Sequence, residues 1–148
     1  MNESKLILVL GDQLSLNQPA LKQAEPGRDI IVLAEVAEEA TYVRHNRHKI
    51  ALLFAAMRHF HLELESLGHT VHYTTIDQGV ASLEEAVRKV VIQTAATEVV
   101  VCEPGEYRLV HQIRSAWSSS LGVPVTVLED ERFLASHDDF ELWARGKK

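Results

Sequence analysis

Leu6-Ile7-Leu8-Val9-Leu10-Gly11-Asp12-Gln13-Leu14-Ser15 opens with five consecutive aliphatic residues and then breaks at a glycine and an aspartate. An apolar run that short has no polar alternation, so it predicts a strand buried on both faces. Strands of that kind occupy the centre of parallel sheets covered by helices. Ligands in such folds gather just beyond the carboxyl end of the strand, where Gly11, Asp12 and Gln13 lie.

Working outward, the same punctuation recurs. Residues 29–36 (DIIVLAEV), 69–76, 98–102 (EVVVC) and 123–128 read as four further strands. Between the second and third, Asn46 can cap a helix running to about Leu67, with Ile50, Leu53, Phe54, Met57, His61, Leu64 and Leu67 on one stripe. Gly68 supplies its left-handed stop. Ser82 and Glu85 have capping-box spacing ahead of a helix whose inner face is Leu83, Ala86, Val87, Val90 and Val91. Residues 107–121 predict one helix with Val110, Ile113, Trp117 and Leu121 inward, and residues 138–144 a final helical turn. A polar connection over residues 16–27, holding Pro19 and Pro26, has room for one more turn. Strands alternating with helices demand right-handed crossovers. The expectation is a single α/β domain over residues 1–148, Rossmann-like or flavodoxin-like and three-layered, with a five-stranded parallel sheet in the order 3-2-1-4-5.

Composition bounds the function. A length of 148 residues gives one domain with a proper core. A single cysteine, Cys102, leaves no internal disulfide and fits a reducing cytoplasm. No apolar stretch reaches the roughly 20 residues of a membrane span. The net charge of −6 argues against this chain gripping a phosphate backbone by itself. Gly11 stands alone, so neither a dinucleotide nor a triphosphate cradle is written here. GDQL is similar to the GDSL opening of a hydrolase family, yet Gln13 takes the nucleophile's place and no D-x-x-H follows. The histidine pairs His45/His48, His59/His61 and His69/His72 lack the i, i+4 spacing that helical zinc sites favour. No metal site is expected.

The predicted strand ends carry acids: Asp12, Glu35, Asp77, Glu103 and the pair Glu129-Asp130. Acids also cap helix starts, which accounts for part of the pattern. An acidic rim repels phosphates and suits a ligand with N–H and O–H donors, such as a pterin, a lumazine or a ribityl chain.

Four stretches resemble one family in its own order: LVLGDQLS near the start, AEVAEEATYVRHNRHKIALLFAAMRHF over residues 34–60, CEPGEYR, and EDERFLASH. They are similar to the bacterial photolyase-related proteins, the prokaryotic (6-4) photolyases and cryptochromes that carry an iron–sulfur cluster. The resemblance implies that residues 1–148 are the N-terminal antenna-binding domain. The parent would perform light-driven repair of pyrimidine photoproducts or blue-light sensing. A helical C-terminal domain, absent from this chain, would hold FAD and a [4Fe–4S] cluster and contact the DNA. One cysteine cannot ligate such a cluster, so the fragment alone is not catalytic. The implied antenna is 6,7-dimethyl-8-ribityllumazine. Matching positions nominate Gly11, Asp12, Gln13, Glu39 and Leu53 as its contacts, then Tyr42 and Lys49, then Glu35. The run Arg44-His45-Asn46-Arg47-His48-Lys49 departs from the His-Lys-rich stretch typical of the family. A free-standing small-molecule or nucleotide-binding α/β protein without catalysis is the alternative. Strand order alone places the crevice between strands one and four, whereas the resemblance places it by strand one and the helix after strand two.

Overall fold

The computed structural model describes residues 4–41 and 46–147, and at Glu39 and Ala40 the backbone alone. The opening run forms β1 (Lys5–Leu8), in which Leu6, Ile7 and Leu8 have no exposed surface. A polar loop with one helical turn, α1 (Pro19–Lys22), leads to β2 (Ile30–Ala34). A short helix α2 (Ala37–Thr41) precedes the long α3 (Arg47–Ser66), then β3 (Thr70–Thr74). A 3-10 turn (Ile76–Gln78), α4 (Leu83–Thr94) and β4 (Glu98–Cys102) follow. The last crossover is α5 (Tyr107–Gln112), a π turn (Ile113–Trp117) and α6 (Ser118–Leu121), ahead of β5 (Val125–Leu128) and α7 (His137–Ala144).

The five strands are all parallel in the order β3-β2-β1-β4-β5. Strand periodicity sorts the core into two halves. Leu6, Leu8, Val32, Val99 and Val101 face α4 and the α5–α6 helix, while Ile7, Val9, Ile31, Leu33 and Val100 face α1 and α3. β1 is therefore buried from both sides, which explains its unbroken aliphatic run.

Local chemistry places the helices. Asn46 accepts a hydrogen bond from the His48 amide at 2.9 Å, capping α3, and Gly68 turns the chain at φ +87°. Ser82 accepts from the Glu85 amide at 3.1 Å, but the Glu85 carboxylate reaches the Ala81 N–H, one residue beyond the expected box. The helix predicted over residues 107–121 is interrupted by the π turn. Its inward residues are Leu109, Ile113, Trp117 and Leu121, with Leu109 buried in place of Val110. The second strand is shorter than residues 29–36, and the fifth begins at Val125 because Val123 and Pro124 belong to the turn. Asp29 leaves the strand to hold the chain: its carboxylate accepts from Arg28 and from the Lys5 and Glu25 amides. Among the described residues no helix is long and apolar enough to cross a membrane.

Candidate functional site

At the carboxyl edge of the sheet a cavity of about 490 Å³ opens between three structural units. Its floor is the end of β1 and the following turn (Val9, Leu10, Gly11, Asp12) with Ala34 and Val36 after β2. Its roof is the first three turns of α3 (Lys49, Ile50, Leu53, Phe54, Met57). The far wall is Leu83, Pro104, Gly105, Glu106 and Leu109. The volume suits one small organic ligand. Most of the lining is apolar, and Asp12, Lys49 and Glu106 are its charged groups.

Helix α3 is amphipathic along its whole length, but its two halves use the apolar stripe differently. Met57, Phe60 and Leu64 are buried in the core, whereas Leu53 retains 37% exposure because it faces open space. Helix and strand end meet closely at Gly11. A Cβ on that residue would stand 3.0 Å from Met57 Sδ and 3.4 Å from both Leu53 Cδ atoms. The missing side chain therefore lets α3 lie down on the turn.

The turn itself is held firmly. The Gln13 amide donates to the Leu10 carbonyl at 2.9 Å, and Gln13 Nε2 donates to the Glu103 carbonyl at 2.9 Å, tying β1 to the end of β4. Gln13 is 2% exposed and lies on the opposite side of the turn, where it helps to line a second cavity of about 400 Å³ with Gln18, Lys22, Cys102 and Arg132. Burial, then the nearby Asp130 charge, push the Cys102 thiol up to about 11, so it stays protonated at neutral pH.

The structure thus brings Gly11, Asp12, Lys49 and Leu53 together in one cavity and sets Gln13 behind them. Glu39 lies on α2, described by its backbone only, and Tyr42 lies outside the described residues. Glu35 does not line the cavity. It is fully buried and accepts from Arg58 Nε at 2.6 Å, Arg58 Nη2 at 2.8 Å, the Tyr73 hydroxyl at 2.6 Å and the Ile76 amide at 3.0 Å. Burial alone would raise its pKa, but those four donors hold the carboxyl below the usual range. Tyr73 is pushed upward by the same burial and by the Glu35 charge. This cluster pins α3 to β2 and β3.

The acidic rim is partly neutralised. Glu103 pairs with Arg114 at 2.6 Å and contacts His137 at 3.1 Å, and Asp130 pairs with Arg132 at 2.6 Å. Asp12, Asp77 and Glu129 make no ion pair among the described residues, and of these three Asp12 alone lines the cavity. Sequence reasoning did not nominate Phe54, Met57 or residues 104–106. The signal was present, since Pro104, Gly105 and Glu106 sit in CEPGEYR at the carboxyl end of β4, where parallel sheets collect ligands. The cavity also joins the two expected crevice positions, with α3 on the β2 side and the β4–α5 loop on the other.

Residues 7–148 match the family of deoxyribodipyrimidine photo-lyase-related proteins. The chain is 41% identical over 147 residues to a (6-4) photolyase of Agrobacterium fabrum (strain C58 / ATCC 33970). That match covers 98% of this chain and 29% of the relative, so the chain spans less than a third of the relative's length. With its sheet order, its cavity beyond β1 and this match along nearly its whole length, the chain belongs to the deoxyribodipyrimidine photo-lyase-related proteins.

Proposed function

We propose that this chain is an antenna-chromophore-binding domain and that its cavity takes 6,7-dimethyl-8-ribityllumazine. The observation that carries the reading is the apolar cavity between Gly11-Asp12 and the Leu53 face of α3. Its size and apolar walls suit a fused ring, and the Asp12 carboxylate suits the hydroxyl donors of a ribityl chain. An antenna passes on excitation energy and needs only to be held rigidly. The site accordingly requires packing and hydrogen bonds, with no nucleophile, base or metal. No step of bond making is assigned to these residues.

In a longer parent protein, a helical domain carrying FAD and a [4Fe–4S] cluster would receive the excitation and contact DNA, for photolesion repair or light sensing. Cys102, buried in β4, is the single cysteine and cannot by itself ligate such a cluster, so the cluster does not fit this chain. Support for a docking partner comes from Phe133, Leu134, Phe140 and Trp143, each more than 60% exposed near the end of the described chain.

Titration of the protein with 6,7-dimethyl-8-ribityllumazine, followed by the ligand's fluorescence anisotropy, tests the reading. Saturable binding is expected, and Leu53→Trp fills the cavity and abolishes it while the far-ultraviolet circular dichroism stays unchanged. Absence of binding, or equal binding by Leu53→Trp, would refute it. Preference for a nucleotide would favour the free-standing nucleotide-binding alternative.

A further inference from the structure

We infer that Arg132 is a positioning residue for the cavity, acting through Asp12. The inference rests on the reading of the cavity as a ligand site. The segment after β5 lies on the far side of the turn, yet it reaches the turn through one side chain. Arg132 Nη1 donates to the Asp12 main-chain carbonyl at 2.8 Å. The rest of the guanidinium is planted on Asp130, with Nε at 2.9 and 3.0 Å and Nη2 at 2.6 Å from its carboxylate oxygens. The Asp130 side chain is 9% exposed and also accepts from the Arg132 amide at 3.0 Å, closing a local turn. A guanidinium held in its plane by one carboxylate fixes the direction of its remaining N–H bonds, and one on Nη1 meets the Asp12 carbonyl.

The consequence is specific to one peptide. Gln13 bolts the turn to β4 through Glu103, and Arg132 bolts it to the end of β5. Between those two restraints lies the Asp12–Gln13 peptide, which forms the wall between the cavities and carries the Asp12 side chain at the mouth of the larger one. Releasing the Asp12 carbonyl leaves that peptide held only by the Gln13 amide's bond to the Leu10 carbonyl, which loosens it and lets the carboxylate leave its position. Arg132 does not itself line the larger cavity, so any effect on its ligand passes through Asp12. A lysine keeps the charge but cannot span Asp130 and the carbonyl in one plane.

The experiment measures 6,7-dimethyl-8-ribityllumazine binding by the protein and by R132A, R132K, D12A and the D12A/R132A pair, with K22A as control. Lys22 pairs with Glu131 beside the turn but touches neither Asp12 nor Asp130. R132A and R132K should each bind about tenfold more weakly with the thermal midpoint unchanged, K22A should bind as the parent does, and R132A should add nothing in the D12A background. Equal binding by R132A, full recovery in R132K, a matching loss in K22A, or additivity with D12A overturns the inference. Amide exchange of the ligand-free protein provides a second readout. R132A should accelerate exchange of the Gln13 amide at least tenfold and leave the core of α4 untouched. If the parent protein fails to bind the lumazine, the proposed function falls while the exchange result still decides the role of Arg132.

Discussion

At the scale of single residues, Gly11 and Met57 show how a helix and a strand end share space. Adding a methyl group at Gly11 displaces the Met57 sulfur, the adaptable end of a flexible side chain. Strain of about 1 kcal/mol is offset by a similar loss of unfolded-chain entropy, so Gly11→Ala should leave the unfolding midpoint nearly unchanged. The displaced Met57 and Leu53 move into the cavity, and lumazine affinity should fall about tenfold, near 1.4 kcal/mol, as calorimetric titration would register. In the sequence Gly11 is the break after a buried strand and a candidate ligand contact, and nothing there shows which side chain packs on it. That neighbour, Met57, lies 46 positions away on another element. Glu35 illustrates the converse. It stands at a strand end like Asp12, and only the positions of Arg58 and Tyr73 reveal that it holds the scaffold together.

At the scale of elements, the π turn reconciles a sequence spacing with a packing face. Leu109, Ile113, Trp117 and Leu121 recur every fourth residue, and each is buried. An α-helix turns about 100° per residue, so three such steps drift roughly 120° and would carry Leu121 away from the sheet. The wider i→i+5 ring of the π turn underwinds the segment and keeps the four residues on one side. A reading based on the 3.6-residue period finds this helix but selects Val110, which fits the period and is only half-buried. Helix α4 has a different irregularity at its end. Its C-cap, Ala95, adopts φ +52°, a left-handed conformation that disfavours a side chain. Ala95 is exposed, so Ala95→Gly removes no packing and should stabilise the fold by about 1 kcal/mol in urea unfolding.

At the scale of the whole molecule, buried and half-buried carboxylates set the acid limit of the fold. Glu35, Asp29, Glu98 and Asp130 all titrate below their ordinary range when folded. A carboxyl depressed on folding contributes stability above its unfolded pKa, near 4, and loses it as pH falls through the folded value. Acid unfolding should therefore steepen below about pH 4. Glu35→Gln should cost about 2 kcal/mol at pH 7, a deficit that narrows as pH drops below 4 and the native carboxyl protonates; urea midpoints across pH 3–7 would reveal the convergence. Global organisation was the most legible level. An unbroken aliphatic strand, alternating elements and capping signals are local, and together they point to a doubly wound parallel sheet, whose observed order is β3-β2-β1-β4-β5. Side-chain partnerships across the rim, such as Arg132 on the Asp12 carbonyl, arise from positions over 100 residues apart and leave no periodic trace.

The two tryptophans occupy opposite extremes of the molecule: Trp117 is 2% exposed beneath the α5–α6 helix, and Trp143 is 62% exposed on α7 with Lys147 resting on its ring. Their emission therefore divides into two natural reporters. Replacing Trp143 by Phe leaves a signal confined to loss of the interior, and replacing Trp117 by Phe leaves one confined to anything that covers the last helix. The chain carries its own optical means of separating unfolding from association.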